Sequence, residues 1–267
     1  MSVATLTATR AGNALATYEA FAPFYDRFTA DHGHESWMTD IEALAREHGL
    51  RGRRLLDVGC GTGSSFMPLL RRGYRVTACD LSPAMVERAR RKLAGRGEVA
   101  VADMRSLPWI ERFDLATCVD DAINYLLFPS DVVDALRSMR TALVPGGLLI
   151  FDVNSLATYR TGFAGEQTLD CDGTSFRWLG EGHSRMPAGE VVAATVEVLG
   201  PDGEGTPVGR HVQRHHSIEE LETACEEAGL QTLEFRGQVP GGGLVPGADE
   251  GCHSKIVFVA RRPHRHG

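Results

Sequence analysis

The chain has 267 residues, a formal charge of −7, and 43% hydrophobic against 24% charged side chains. That balance suits one domain with insertions and a large core, and it counts against a general nucleic-acid binder, which carries a basic face. No segment approaches a membrane span, no apolar signal core opens the chain, and the six cysteines form no C-x-x-C pair, zinc spacing or disulfide framework, so a reduced, cytoplasmic setting is expected.

Residues 1–14 are small and polar and read as disordered. Tyr18 to Ala30 and Glu35 to Gly49 read as helices; in the second, Trp37, Ile41, Leu44 and Ala45 recur at helical spacing. Strands at 54–58, 75–80, 98–102, 113–119 and 147–153 then alternate with helices at 64–72, 83–93 and 130–143. Such alternation predicts a parallel sheet with helices on both faces. Arg51, Arg53, Arg54, Arg71 and Arg72 cluster in sequence and read as a solvated rim.

After Asn154 the pattern changes. Phe176 to Arg185, Val191 to Leu199 and Pro207 to His215 read as antiparallel strands, separated by turns at 187–189 and 200–203. Ser217-Ile-Glu-Glu220 caps a helix that runs to Ala228 and stops at Gly229. Strands at 231–237 and 254–260 close the chain, with a flexible loop at Pro240-Gly-Gly-Gly243 between them. Four segments follow: residues 1–50 as a helical lid, 51–160 as a cofactor-binding core, 161–216 as an antiparallel insertion over the active site, and 217–267 as the rest of the core sheet. In open α/β sheets ligands bind beyond the carboxyl ends of the strands, where lid and insertion are expected to lie.

The glycine run Asp57-Val-Gly59-Cys60-Gly61-Thr-Gly63 follows the first apolar strand, and Asp80 ends the second. Glycine tolerates positive φ and leaves no Cβ in a ligand's way. Ser64 stands where a dinucleotide fingerprint wants glycine, and no lysine completes a phosphate loop, since the only lysines are Lys92 and Lys255. An aspartate at the end of the second strand can accept hydrogen bonds from ribose hydroxyls. The pattern therefore marks a nucleoside site without a diphosphate signature, and another nucleoside-binding Rossmann protein is the alternative.

This glycine run with Asp80, Asp103-Met104 after the third strand, and Val144-Pro-Gly-Gly147 before the fifth resemble the motifs of Rossmann-like S-adenosylmethionine (SAM) methyltransferases. The resemblance covers roughly residues 50–155. It implies a doubly wound, mostly parallel seven-stranded sheet with N-terminal lid helices and an inserted antiparallel β segment. It implies SAM as cofactor and S-adenosylhomocysteine as product, held by Tyr25, Asp57, Gly59, Cys60, Gly61, Asp80, Leu81, Asp103, Met104 and Val119. Chain size, lid and insertion resemble bacterial N-methyltransferases of amino sugars and related natural products, so a small-molecule amine is the expected acceptor. O- or C-methylation, a SAM-binding protein without transferase activity, and a nucleic-acid methyltransferase are the alternatives; the acidic balance counts against the last.

Methyl transfer to an amine needs alignment and an unprotonated nitrogen; a hydroxyl needs a base or a metal. Asp120 and Asp121, after the fourth strand, are placed to bind an ammonium or take its proton, with helix capping as the other reading of Asp121. Tyr18, Asp120, Asn124, Tyr125 and His183 are expected to line the acceptor pocket. In His211-Val-Gln213-Arg-His215-His216, strand alternation puts His211, Gln213 and His215 on one face, and His211 joins Asp121 as a candidate base. No metal site is expected from this run, because no carboxylate pairs with it locally. A homodimer through the inserted sheet is a further expectation.

Overall fold

The computed structural model describes residues 3–239 and 241–264, with side chains from residue 14 onward. Helices α1 (Val3–Phe28) and α2 (His34–Glu47) precede β1 (Arg54–Val58), α3 (Phe66–Arg71), β2 (Arg75–Asp80), α4 (Pro83–Leu93), β3 (Gly97–Val101), β4 (Phe113–Cys118), α5 (Pro129–Ala142) and β5 (Leu143–Asn154). Then come α6 (Leu156–Gly162), β6 (Ala164–Cys171), β7 (Thr174–Glu181), β8 (Val191–Leu199), β9 (Gly205–Arg214), α7 (Ile218–Glu227), β10 (Gln231–Gln238), β11 (Leu244–Pro246) and β12 (Lys255–Arg261).

The main sheet runs β11-β10-β12-β5-β4-β1-β2-β3. Its β1 to β5 pairs are parallel, and β12 enters antiparallel beside β5. The expected seven strands are present, and the three-residue β11 adds an eighth at the edge. Strand alternation splits the core between the two faces. Leu56, Ile256 and Phe258 pack with α5 and α7, whereas Leu55, Val257 and Val259 pack with α2, α3 and α4. Five of the six cysteines are buried and all six are free. Among the described residues no helix is long and apolar enough to cross a membrane.

Local chemistry sets the helix ends. Ser82 caps α4 by accepting the Met85 N–H at 3.1 Å, with Pro83 in the first turn. Ser217 and Glu220 close a capping box on α7.

Five sequence expectations change. The stretch expected to be disordered lies, from Val3 on, in α1; its alanines and leucines are strong helix formers. Residues 1, 2 and Pro240 lie outside the described residues. Of the two helices expected to form the lid, α2 packs into the core: it buries Trp37, Met38, Ile41, Leu44 and Ala45 against the sheet, because its apolar stripe needs a core partner. Val144-Pro-Gly-Gly147 is a bulge within β5, with Phe113 opposite Leu143 but Leu115 opposite Leu148. The insertion also begins earlier, with α6 and β6, and its four strands form the separate sheet β6-β7-β8-β9. Three arginines of the expected rim are paired: Arg54 with Asp114, Arg71 with Glu35, and Arg72 with Glu35 and Glu42.

α1 lies between the two sheets. The Thr17 hydroxyl donates to the Arg210 carbonyl of β9 at 2.6 Å. Glu19 accepts from the Ser82 hydroxyl at 2.5 Å and the Ala84 N–H at 2.9 Å. Asp26 accepts from Lys92 at 2.6 Å and from Thr62 of the glycine turn.

Candidate active site

The turn after β1 carries Gly59, Gly61 and Gly63 at φ of 69°, 52° and 93°. A Cβ on Gly59 would stand 3.0 Å from Ala122, and one on Gly63 would strike the Phe66 ring at 2.4 Å. The chain therefore needs glycine here for its own packing as well as for a ligand. Asp80 fastens the turn: Oδ2 accepts the Gly61 N–H at 2.8 Å and Oδ1 the Ser82 N–H at 2.9 Å. Burial raises the Asp80 pKa against these two bonds.

A cavity opens over this turn. Gly59, Cys60, Gly61, Asp80, Leu81, Asp103, Met104, Val119 and Tyr25 line it, as do Tyr18, His34 and Asp120. Asp103 is held by Arg105, whose Nη2 lies 2.6 Å from Oδ2 and whose N–H lies 2.9 Å from Oδ1. Burial alone would raise the Asp103 pKa, but the guanidinium holds it below the usual range. Asp57 does not line the cavity. It is buried, accepting from Ser65 at 2.5 Å and Thr117 at 2.7 Å, and burial pushes its pKa up to about 6. It braces the turn against β4 instead of reaching a ligand.

A second cavity adjoins the first, and the two share Tyr18, Tyr25, Asp120 and Tyr125. Aromatic rings form much of its wall. Trp178 stacks on His211 with centroids 5.8 Å apart, and Phe21 meets His211 edge-on at 5.3 Å. Its floor is ionic. Asp120 and Asp121 are consecutive residues in left-handed backbone, at φ of 58° and 55°, and both their N–H groups point at buried Asp152, at 2.9 and 2.7 Å. Lys255 Nζ sits 2.8 Å from Asp121 and 3.0 Å from Asp152. Burial would lower the Lys255 pKa, but the carboxylates around it raise it.

Two sequence candidates for the base look different in place. Asp121 stands at the start of the short turn 122–125 without capping it. Its oxygens are taken by Lys255 and, at 2.6 Å, by the Gln213 amide. His211 shares a buried face with Gln213 and His215, as strand alternation implied. Its Nδ1 is 2.8 Å from the Tyr125 hydroxyl, and burial drops its pKa to about 4, which makes it a feeble base at neutral pH.

Two expected acceptor residues lie outside both cavities. Asn124 is fully buried, donating to the Arg214 carbonyl and accepting the Asn154 N–H, each at 2.9 Å. His183 is exposed on the turn between β7 and β8. Sequence reading passed over His32, His34, Asp152, Trp178 and Lys255. Of these only Lys255 carried a signal, as one of two lysines in the chain.

The first cavity fits SAM. Gly59 and Gly61 leave backbone bare at the turn, and each Asp80 oxygen keeps a lone pair beyond its backbone N–H. Among the described residues, Arg105 is the one arginine or lysine in the lining, and Asp103 and Asp131 occupy it, leaving no cation for a diphosphate.

Comparison with known proteins agrees. Residues 55–147 match the family model described as a methyltransferase domain. A Geobacillus sp. (strain WCH70) protein, named as a methyltransferase without a stated acceptor, is 29% identical over 257 residues, 92% of this chain and 100% of that protein. The dTDP-3-amino-3,6-dideoxy-alpha-D-glucopyranose N,N-dimethyltransferase of Streptomyces fradiae is 30% identical over 219 residues, 78% of this chain and 82% of that enzyme. The crystal structure of an S-adenosylmethionine-dependent methyltransferase from Clostridium acetobutylicum ATCC 824 superposes with a TM-score of 0.75 at 23% identity, covering 92% of this chain and 99% of that one. With motif, fold, cavity and relatives in agreement, the chain belongs to the Rossmann-like SAM-dependent methyltransferases and uses SAM as its cofactor.

Proposed function

We propose that this enzyme methylates the nitrogen of a small amine, either an amino sugar or a related natural product. The observation that carries the reading is the second cavity. It meets the cofactor cavity at Asp120 and three tyrosines, and it sets two carboxylates among aromatic rings. Carboxylates and ring faces both attract an ammonium. Among the described residues Lys255 is the cavity's one lysine or arginine, and it is neutralised by its own carboxylates, so it does not repel such a guest. The amino-sugar acceptor in the Streptomyces fradiae enzyme's name supports the same class.

In this reading the Gly59–Gly61 backbone, Cys60, Leu81, Met104, Val119 and Tyr25 shape the cofactor site, Asp80 accepts from the ribose, and Asp103 offers its remaining lone pair to the adenine. When bound, the cofactor supplies a sulfonium methyl as electrophile. Tyr18, Asp120 and Tyr125 orient the acceptor nitrogen, while α1 and the inserted sheet exclude water. Residues 51–155 and 217–267 then form the core, with 156–216 covering the acceptor. The exposed β6 edge is the proposed contact of a homodimer in the cytoplasm, to be checked by light scattering.

The test is a panel of small amines and alcohols incubated with the enzyme and SAM, read by mass spectrometry. Methyl on nitrogen supports the reading. Methyl only on oxygen or carbon, or SAM binding without turnover of any acceptor, overturns it.

A further inference from the structure

We infer that His34, oriented by Asp120, is the base that removes the acceptor's proton. The inference rests on the N-methyltransferase reading for the identity of the group that loses the proton.

His34 opens α2, just after left-handed Gly33, and its Nε2 lies 3.1 Å from Asp120 Oδ2. The His34 side chain is 13% exposed, and it lines the cofactor cavity, while Asp120 lines both. Asp120 therefore stands at the wall between donor and acceptor, with His34 bonded to it on the cofactor side. Burial would raise the Asp120 pKa, but the His34 hydrogen bond and the charge of Lys255 lower it. Asp120 is then an ionised carboxylate that can only accept, so Nε2 carries the hydrogen. That fixes the neutral tautomer and leaves the basic lone pair on Nδ1, which has no protein partner among the described residues. Of the other candidates, Asp121 is engaged by Lys255 and Gln213, and Asp152 by Lys255 and two backbone N–H groups; His211 keeps an unpartnered Nε2, but burial drops its pKa to about 4 and makes it the weaker base.

The step balances simply. The acceptor ammonium gives a proton to His34 Nδ1, the nitrogen keeps the N–H electron pair as the lone pair it needs, and Asp120 stabilises the imidazolium through Nε2–H. An aspartate that orients a histidine and stabilises its cation is established chemistry for a base. Among the described residues, the titratable groups that interact with the imidazole are Asp120 after β4 and His32, whose ring lies 6.0 Å away; Tyr25 of α1 lines the same cavity, and Asp121 and Lys255 lie beyond, around His32. Asp120 is the one bonded to it.

The experiment compares wild type, His34→Gln and Asp120→Asn on whichever acceptor the wild type methylates. It reads kcat across pH, SAM affinity by calorimetry, and histidine titration by NMR in the SAM-free protein. Expected are an acid limb in the wild-type kcat at the NMR pKa of His34, and a loss of about 100-fold with the limb abolished in His34→Gln. Asp120→Asn is expected to lose about tenfold in kcat, and because both side chains line the cofactor cavity the variants are compared at SAM concentrations that saturate each of them by calorimetry. His34→Gln turnover within threefold of wild type, or an acid limb that survives in it, overturns the assignment. The acceptor panel fails separately: if only alcohols are methylated, the nitrogen reading falls, and the same variants still decide whether His34 is the base.

Discussion

Lys255 Nζ lies 3.0 Å from Asp152 Oδ1, and through that contact the last strand of the sheet reaches the loop after β4. Asp152 spends both oxygens on the Asp120 and Asp121 N–H groups, holding two non-glycine residues in left-handed backbone at about 1–2 kcal/mol each. Removing the ammonium leaves buried carboxylates without a counter-charge. Lys255→Met is expected to lower the unfolding free energy by about 3–5 kcal/mol in urea titration. A loss below about 1 kcal/mol would mean that the loop does not depend on Lys255.

Asp57 gives a pH-dependent prediction. Its pKa rises from 3.8 to about 6 in the fold because burial outweighs the Ser65 and Thr117 hydrogen bonds. A raised pKa contributes stability that is fully present below 3.8 and is lost as pH climbs through about 6. At pH 7.5 the ionised form therefore costs a few kcal/mol, at about 1.4 per pKa unit. Asp57→Asn keeps an acceptor for Thr117 and a donor for Ser65. Its melting temperature relative to wild type should rise between pH 4 and pH 7.5; a difference independent of pH would show that Asp57 titrates normally.

The contrast between cofactor and acceptor sites shows what a sequence can carry. Gly59, Gly61, Asp80, Asp103 and Met104 were legible because the strand–turn–helix unit fixes their spacing and all fall within a few residues of strand ends. Asp57 sits in the same motif yet points into the core, a difference of side-chain direction that spacing does not encode. The acceptor cavity joins residues far apart, such as Asp121 with Lys255 and Trp178 with His211, and no local period announces those meetings. His183 and His211 looked alike in the sequence. Alternation along β9 buries one, and a turn exposes the other.

Gly61→Ala tests the turn. At φ 52° the alanine is strained by about 1 kcal/mol, and its Cβ would meet the Tyr25 ring at 3.4 Å, on the cavity wall. SAM affinity should fall at least tenfold in calorimetry, with the melting temperature lowered by only a few degrees. Unchanged affinity would place the cofactor away from this turn.

Asp80→Asn tests the ribose contact. The amide keeps one acceptor but turns the other toward the Gly61 or Ser82 N–H as a donor. SAM and S-adenosylhomocysteine should both weaken by about tenfold or more, since the loss falls on hydrogen bonds to a charged group. If the product alone weakens, Asp80 does not serve the shared nucleoside.

One helix, α1, roofs both cavities, with Tyr18 and Tyr25 in each wall and Glu19, Asp26 and Thr17 fastened to the structure around them. A displacement of α1 large enough to release spent cofactor would therefore open the acceptor cavity as well. An amine that takes two methyl groups would then be let go after the first, and the chain would work distributively, with a monomethyl species accumulating in solution before any dimethyl product forms.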